Sequence, residues 1–189
     1  MLDSETKDLI RSDKLNHGFG RGVFRYWLSM LFGKNYLVTT TLKCLITSRK
    51  HSYYLSHKNC IINKIASIFY AYRYYFLSSR YGMEILAKKM GKNVRFWHLG
   101  IIISCHSIIG DGCTFHGNNC IGNNGHDLLD VPIIGNNVDI GFGACIIGKV
   151  RIADNIVIGA NAVVNKSFTE PNIIIGGIPA IKIGERTDF

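Results

Sequence analysis

"IIGNNVDIGFGACIIGKVRIADNIVIGANAVV", residues 133–164, returns an aliphatic side chain at every sixth position: Ile134, Ile140, Ile146, Ile152, Ile158 and Val164. A small residue follows four of them, at Gly135, Gly141, Ala153 and Gly159. Neither the 3.6-residue helical period nor the two-residue strand period produces this beat. A fixed repeat of this kind fits short strands joined by tight corners, with one inward side chain per face. Three faces close a triangular coil of about 18 residues, and successive coils stack at ~4.8 Å. Gly and Asn recur at the corners, as in Gly135–Asn136–Asn137, where backbone angles that other residues avoid are cheap for them. Counting back in sixes from Ile121 makes Phe115, Ile109, Ile103 and Trp97 the earlier inward positions. Between the two runs lies "GNNGHDLLDVP", residues 122–132, which puts Ile134 one place beyond two sixfold steps from Ile121 and so breaks the phase by one. A long polar loop interrupting a stacked coil is a place where function concentrates.

The rest of the chain sets the limits. Its 189 residues suit one domain with an appendage, and hydrophobic content is that of a globular protein. The formal charge of +9 allows anionic partners (phosphates, a membrane surface, acidic glycans or nucleic acid), but the basic residues form no dense run and also read as a solvated face. No nucleic-acid-reading motif is present, and nucleic acid is not expected as a partner. None of the six cysteines forms a CxxC pair, and Cys113, Cys120 and Cys145 fall among core-like positions, as reduced thiols of a cytosolic protein would. The opening "MLDSETKDLIRSDK" is too polar and acidic for a signal peptide. The apolar stretch 23–46 is interrupted by Arg25, Lys34, Asn35 and Lys43, so no membrane span is read there.

Residues 1–93 lack the sixfold beat and read as helical, 94–184 as the solenoid and 185–189 as a tail. "DSETKDLIRSD" begins a helix with Asp3 or Ser4 as its cap. "FRYWLSMLF" and "NKIASIFYAYRYYFLSSRYG" carry large apolar residues at helical spacing, with Gly82 placed to end or bend the second. The interleaved Tyr and Arg read as an aromatic helical core with snorkelling cations. Peripheral docking at the inner face of a membrane is the alternative.

"HLGIII", "VPIIG", "GFGACIIG", "IGANAVV" and "GGIPA" together resemble the hexapeptide-repeat acyltransferases, in their serine acetyltransferase-like branch. The likeness runs from about Gly91 to Ile183. The short helical first half with "YYFLSSRYGMEI" is also similar to members that O-acetylate bacterial surface polysaccharides. The resemblance implies a mainly β fold, a left-handed parallel β-helix with an N-terminal α-helical region. It implies acetyl-CoA as co-substrate, no metal, and a cytoplasmic homotrimer. Two departures concern the acceptor. Trp97 stands where serine enzymes carry Asp, and Val131 where they carry His. "HLGIII" is also one residue shorter than the family spacing.

Acetyl transfer to a hydroxyl needs a base that titrates near neutrality, and histidine supplies it. His98 and His116 lie one full coil apart by the sixfold count, each after an expected inward residue, so they should stack in adjacent coils. The resemblance favours His98 as the base. His116 or the loop residue His126 is the further candidate, whereas His106 falls on another face, and His17, His51 and His57 are expected at the surface. For the donor, the resemblance implies contacts at Asn123, Asn124, Phe142 and Ala160, with Phe142 in place of a usual Ala. Lys166 and Lys182 are candidates to meet its phosphates.

These features favour an acetyl-CoA-dependent O-acetyltransferase acting on a sugar hydroxyl of a surface polysaccharide. Serine O-acetylation, a β-helical metal hydratase and a non-catalytic trimeric scaffold are the competing readings. Phe142, at a corner where a hydratase would need His, counts against the second of these.

Overall fold

The computed structural model describes residues 2–18 and 36–187. "FRYWLSMLF" and part of the apolar stretch from residue 23 lie outside them.

Among the described residues three helices come first: α1 (Ser4–Asn16), α2 (Tyr36–Ser56) and α3 (Ile61–Tyr81). The Asp3 carboxylate caps α1 by accepting from the Thr6 N–H. Gly82, in the left-handed region, ends α3 as its sequence position suggested. Then come fifteen short strands in three sheets.

One face of the coil stacks β1 (Glu84–Ile85), β4 (Ile102–Ile103), β7 (Cys120–Gly122), β10 (Cys145–Ile147) and β13 (Val163–Val164). The second stacks β2 (Lys89–Met90), β5 (Ile108–Ile109), β8 (Ile133–Ile134) and β11 (Arg151–Ile152). The third stacks β3 (Arg95–Phe96), β6 (Thr114–Phe115), β9 (Asp139–Ile140), β12 (Val157–Ile158) and β14 (Ile173–Gly177). On its end β15 (Ala180–Glu185) turns back antiparallel. The ladder starts at Glu84, within the segment expected to be helical up to residue 93.

The beat is the core. Ile103, Ile121, Ile146 and Val164 stack in register on the first face, all essentially without solvent contact. Ile109, Ile134 and Ile152 do the same on the second. Stacked corners carry Asn at positive φ, among them Asn137, Asn155 and Asn172. Their side-chain amides donate up the stack, Asn137 to Asn155 at 3.2 Å and Asn155 to Asn172 at 3.0 Å.

The loop insertion differs from its reading in the sequence. Ile121 pairs with Ile146, one coil and the whole loop further on, and β8 directly follows β7 around the coil. The irregular gap from Ile121 to Ile134 is thus one ordinary sixfold step plus an excursion from a single corner. Backbone periodicity resumes untouched because only the corner lengthens.

A second difference sits at the first coils. The buried residue is Phe96, not Trp97; it pairs with Phe115, one place further along the chain than a regular coil would put its partner. The corner from Trp97 to Ile101 holds one residue more than each of the three corners that follow it, so counting back in sixes from Ile103 lands one place late. The thiols also divide by strand alternation. Cys113 is buried, whereas Cys120 and Cys145 are only half-buried, because Ile121 and Ile146 take the inward places beside them.

The helices close the open end of the coil. Cys44 and Leu45 of α2 join Met83, Ile85, Val94 and Phe96 in one apolar cluster. Arg49 of α2 is buried; its guanidinium donates to both oxygens of the buried Asp13 on α1 and to the Met90 and Gly91 carbonyls of the first coil. His17 is buried rather than exposed: its Nδ1 lies 2.8 Å from the Asp13 carbonyl oxygen, and its Nε2 accepts from the Phe96 N–H. This pattern fits the neutral ring protonated on Nδ1. His51 is buried too, its ring stacked on Tyr74 at 5.1 Å. His57 lies at the surface, as its sequence position suggested.

The buried junction sets two expectations. Asp13→Ala strands the buried Arg49 charge and should cost about 3–5 kcal/mol in urea unfolding. Burial pushes the His17 imidazole down to about 4. An unfolded His protonates near ~6.5, so the unfolded state takes up the proton first and stability falls as pH drops from there towards about 4. His17 should contribute a slope of up to about 1.4 kcal/mol per pH unit in unfolding series, and His17→Gln should remove that contribution, leaving the smaller one from His51, whose pKa burial also lowers.

Candidate active site

The extra corner residue decides which side chains meet. The third-face register aligns Phe96 with Phe115, Ile140 and Ile158. Two residues beyond each lie His98, Gly117, Phe142 and Ala160, which therefore form one column along a corner of the solenoid. Backbone hydrogen bonds run beside it: the Asn118 N–H donates to Leu99, Gly143 to Gly117, and Asn161 to Phe142. His98 thus stacks over Gly117 rather than over His116.

Gly117 is required there. Its φ is +119°, and a Cβ would come within 2.5 Å of His98 Cβ and 3.2 Å of Phe142 Cε2. The gap lets the His98 and Phe142 rings meet edge to face, with centroids 6.2 Å apart. His98 is exposed and has no hydrogen-bond partner among the described residues, leaving its nitrogens open to a ligand.

One position earlier along the corner, Trp97 faces His116, with ring centroids 6.5 Å apart. His116 Nε2 is 2.7 Å from Asp139 Oδ1, and the Arg95 guanidinium lies 3.7 Å over the Trp97 ring. With Asn93 and Asn137 they border a polar concavity of about 660 Å³. The sequence reading missed Asp139. Its pairing with His116 becomes visible only once the loop is known to lengthen a single coil, because that added length sets Thr114 opposite Asp139.

The loop candidates lie apart from both histidines. The Asn123 and Asn124 side-chain oxygens accept from the Gly125 and His126 N–H groups, each at 3.0 Å, and so shape the loop from within. His126 itself is exposed and makes no hydrogen bond or ring contact with His98 or His116. His106 is exposed as well. Lys182 is held by Glu170 at 2.8 Å and Glu185 at 2.5 Å, and these carboxylates raise its pKa, so its charge is already matched within the chain. Lys166 is exposed, its ammonium 5.5 Å from the Phe168 ring centre. Among the described residues no His, Cys, Asp and Glu side chains cluster as a metal site.

No protein-family profile matches the chain. Over 98 residues it is 35% identical to a serine acetyltransferase of Staphylococcus aureus (strain Mu50 / ATCC 700699), covering 50% of this chain and 46% of that protein. Over 105 residues it is 29% identical to the putative colanic acid biosynthesis acetyltransferase WcaB of Escherichia coli (strain K12), covering 54% of this chain and 65% of that one. The serine acetyltransferase of Neisseria gonorrhoeae superposes with a TM-score of 0.74 at 23% identity, covering 99% of this chain and 69% of that one. The soybean serine acetyltransferase apoenzyme gives 0.74 at 20% identity, covering 96% and 70%.

The chain is a left-handed β-helix of the hexapeptide-repeat type, similar to serine acetyltransferases. It spans about half the length of the curated serine acetyltransferases it matches. The left-handed β-helix expected from the motifs is therefore the fold, with the N-terminal helices packed against it.

The hexapeptide column carries its own prediction. Gly117→Ala should lower stability by roughly 1–3 kcal/mol in thermal unfolding, since it adds both a disallowed φ and a clash with His98. Gly125→Ala, in an open stretch of the loop at φ +83°, meets no atom within 4 Å and should cost less.

Proposed function

We propose that this chain is an acetyl-CoA-dependent O-acetyltransferase whose acceptor is a sugar hydroxyl of a bacterial surface polysaccharide. One observation carries the reading. The histidine favoured as base, His98, shares a single corner column with Phe142 and Ala160, the positions where the family resemblance puts donor contacts. A pantetheine arm lying along that corner pairs with backbone groups and presents its thioester near the imidazole. His98 accepts the hydroxyl proton as the acceptor oxygen attacks the acetyl carbonyl. A backbone N–H stabilises the tetrahedral oxyanion. The C–S bond then breaks, the acetyl group stays on the sugar oxygen, and the proton leaves with the coenzyme A thiol.

Several finer points belong to the same reading. Asn123 and Asn124 contact the donor, and Lys166 rather than Lys182 meets its phosphates, because Lys182 is engaged by two carboxylates. The protein works as a cytoplasmic homotrimer, in which a neighbouring subunit supplies the second wall of the groove. No metal takes part. His116, held by Asp139 and backed by Trp97, orients the acceptor beside the base.

The named relatives favour a second reading, serine O-acetylation. Trp97 and Val131 oppose it, since the indole carries no negative charge to pair with an ammonium and the buried isopropyl group of Val131 offers neither a charge nor a hydrogen bond.

A thiol-release assay with acetyl-CoA separates the readings. Turnover on glycan acceptors with little on L-serine is expected, and rapid turnover on L-serine alone would reverse the ranking. His98→Ala should lower turnover by roughly 10²–10⁴-fold with donor affinity nearly unchanged. His116→Ala should cost less. No turnover by the unaltered chain on any acceptor would leave the scaffold reading, unchanged turnover in both variants would remove both histidines from the chemistry, and loss in His116→Ala alone would move the base to the His116–Asp139 pair. Light scattering should report a trimer.

A further inference from the structure

Helix α3 is turned inside out. Its inward side buries Ser67 and Tyr74 and packs Leu77 and Tyr81, partly buried, against the core. Most of its large aliphatic and aromatic residues face solvent: Ile61, Ile65, Ile68, Phe69, Tyr72 and Phe76 are all more than half exposed, and Ile68 and Tyr72 reach 73%. At 3.6 residues per turn these side chains fall in one arc, roughly 140° wide when Ile62 and Tyr75 are included. Lys64 and Arg73 stand at its two edges, both exposed, with Lys58 before the helix and Arg80 in its last turn. An apolar cleft of about 690 Å³ continues the face toward the first coil, bordered by Tyr72, Phe76, Leu86 and Ile102. The expected aromatic helical core is thus limited to the buried side of α3.

The charge of the chain is divided the same way. From Lys14 to Met83 there are eleven Lys and Arg residues and no Asp or Glu. The remainder carries eleven basic and thirteen acidic residues. The net charge of +9 therefore arises wholly in the helical half. A second copy of the same face would bring like charges together, whereas an anionic surface meets both the apolar arc and its basic margins.

We infer that α3 is an in-plane docking helix for an anionic phospholipid bilayer. Its apolar arc enters the boundary between headgroups and acyl chains, and Lys58, Lys64, Arg73 and Arg80 meet lipid phosphates. At 21 residues with interspersed cations the helix lies on the surface; no described helix is long and apolar enough to cross a membrane. Tyr72 and Tyr75 suit the interface because each has an apolar ring and a polar tip. The docking gives a physical form to the membrane alternative and does not depend on which acceptor the solenoid serves.

Vesicle flotation of the full chain tests this without any turnover readout. Binding should be at least ~10-fold greater on vesicles of phosphatidylcholine with phosphatidylglycerol than on phosphatidylcholine alone, and should weaken at high salt. Ile65→Glu/Ile68→Glu should reduce binding by about tenfold or more while helicity and elution volume stay unchanged. Lys58→Glu/Lys64→Glu, which alters only exposed cations, should reduce it on the charged vesicles alone. Absence of binding by the unaltered chain, or binding by both double variants equal to that of the unaltered chain, overturns the inference. So does a larger assembly that Ile65→Glu/Ile68→Glu breaks apart, which would assign the face to a second copy. Acetyl transfer failing while flotation succeeds would sink the proposed function and leave the docking helix standing.

Discussion

The parallel in-register ladder is the constraint from which everything else follows. Each strand of the coil is only a few residues long and has almost no stability of its own. It persists because the coil above and the coil below present the same residue type at the same height. Ile103, Ile121, Ile146 and Val164 form one such stack, and every member is fully buried. Burial of each aliphatic side chain is worth about 1.5–3 kcal/mol, and the backbone bonds between coils leave few polar groups to desolvate unpaired. The ladder must end somewhere, and its two ends are closed differently. At the C-terminal end β15 folds back antiparallel over β14. At the N-terminal end α2 covers the opening, and Tyr74 of α3 accepts a hydrogen bond from the Ile85 N–H at the first strand.

A ladder this regular frees its corners. An added residue at a corner leaves the strands in register on either side, so corners can vary where strands cannot. Two departures from the repeat bear on chemistry. The long excursion between β7 and β8 projects His126 away from the coil. The single extra residue between Phe96 and Ile103 is smaller and matters more, because it rotates the side chains that follow Phe96 by one place. Trp97 then stands over His116 and His98 over Gly117. The concentration of reactive groups along one corner is a consequence of this slip together with a glycine that permits it.

The helical half answers to a different balance. Its link to the coil adds buried polar ties to the apolar contact of Cys44 and Leu45: Arg49 ties Asp13 on α1 to two carbonyls of the first coil, and neutral His17 connects the end of α1 to Phe96. Such links are directional and fix how the helices sit. The apolar surface of α3 contributes little to that junction, which is why it remains available for another partner. Stability and surface chemistry are thus carried by opposite sides of one helix.

The sequence by itself determined the solenoid. A side chain buried at every sixth position has no other regular solution, and the Gly and Asn corners and the GxPA stretch agree with it. It also offered His98 as the candidate base, through the resemblance of the motif around it. What it could not determine were matters of phase and of facing. Counting in sixes assumes equal corners, so Trp97 was placed inward and His98 over His116, and the register of the folded coils alone shows otherwise. Asp139 stayed hidden for the same reason, since its meeting with His116 depends on the length of a loop-bearing coil. Helical spacing showed that α3 has an apolar face but carries no information on which side packs. That choice was made by tertiary structure, where Ser67, Tyr74, Leu77 and Tyr81 pack inward and the isoleucines of α3 are left outside.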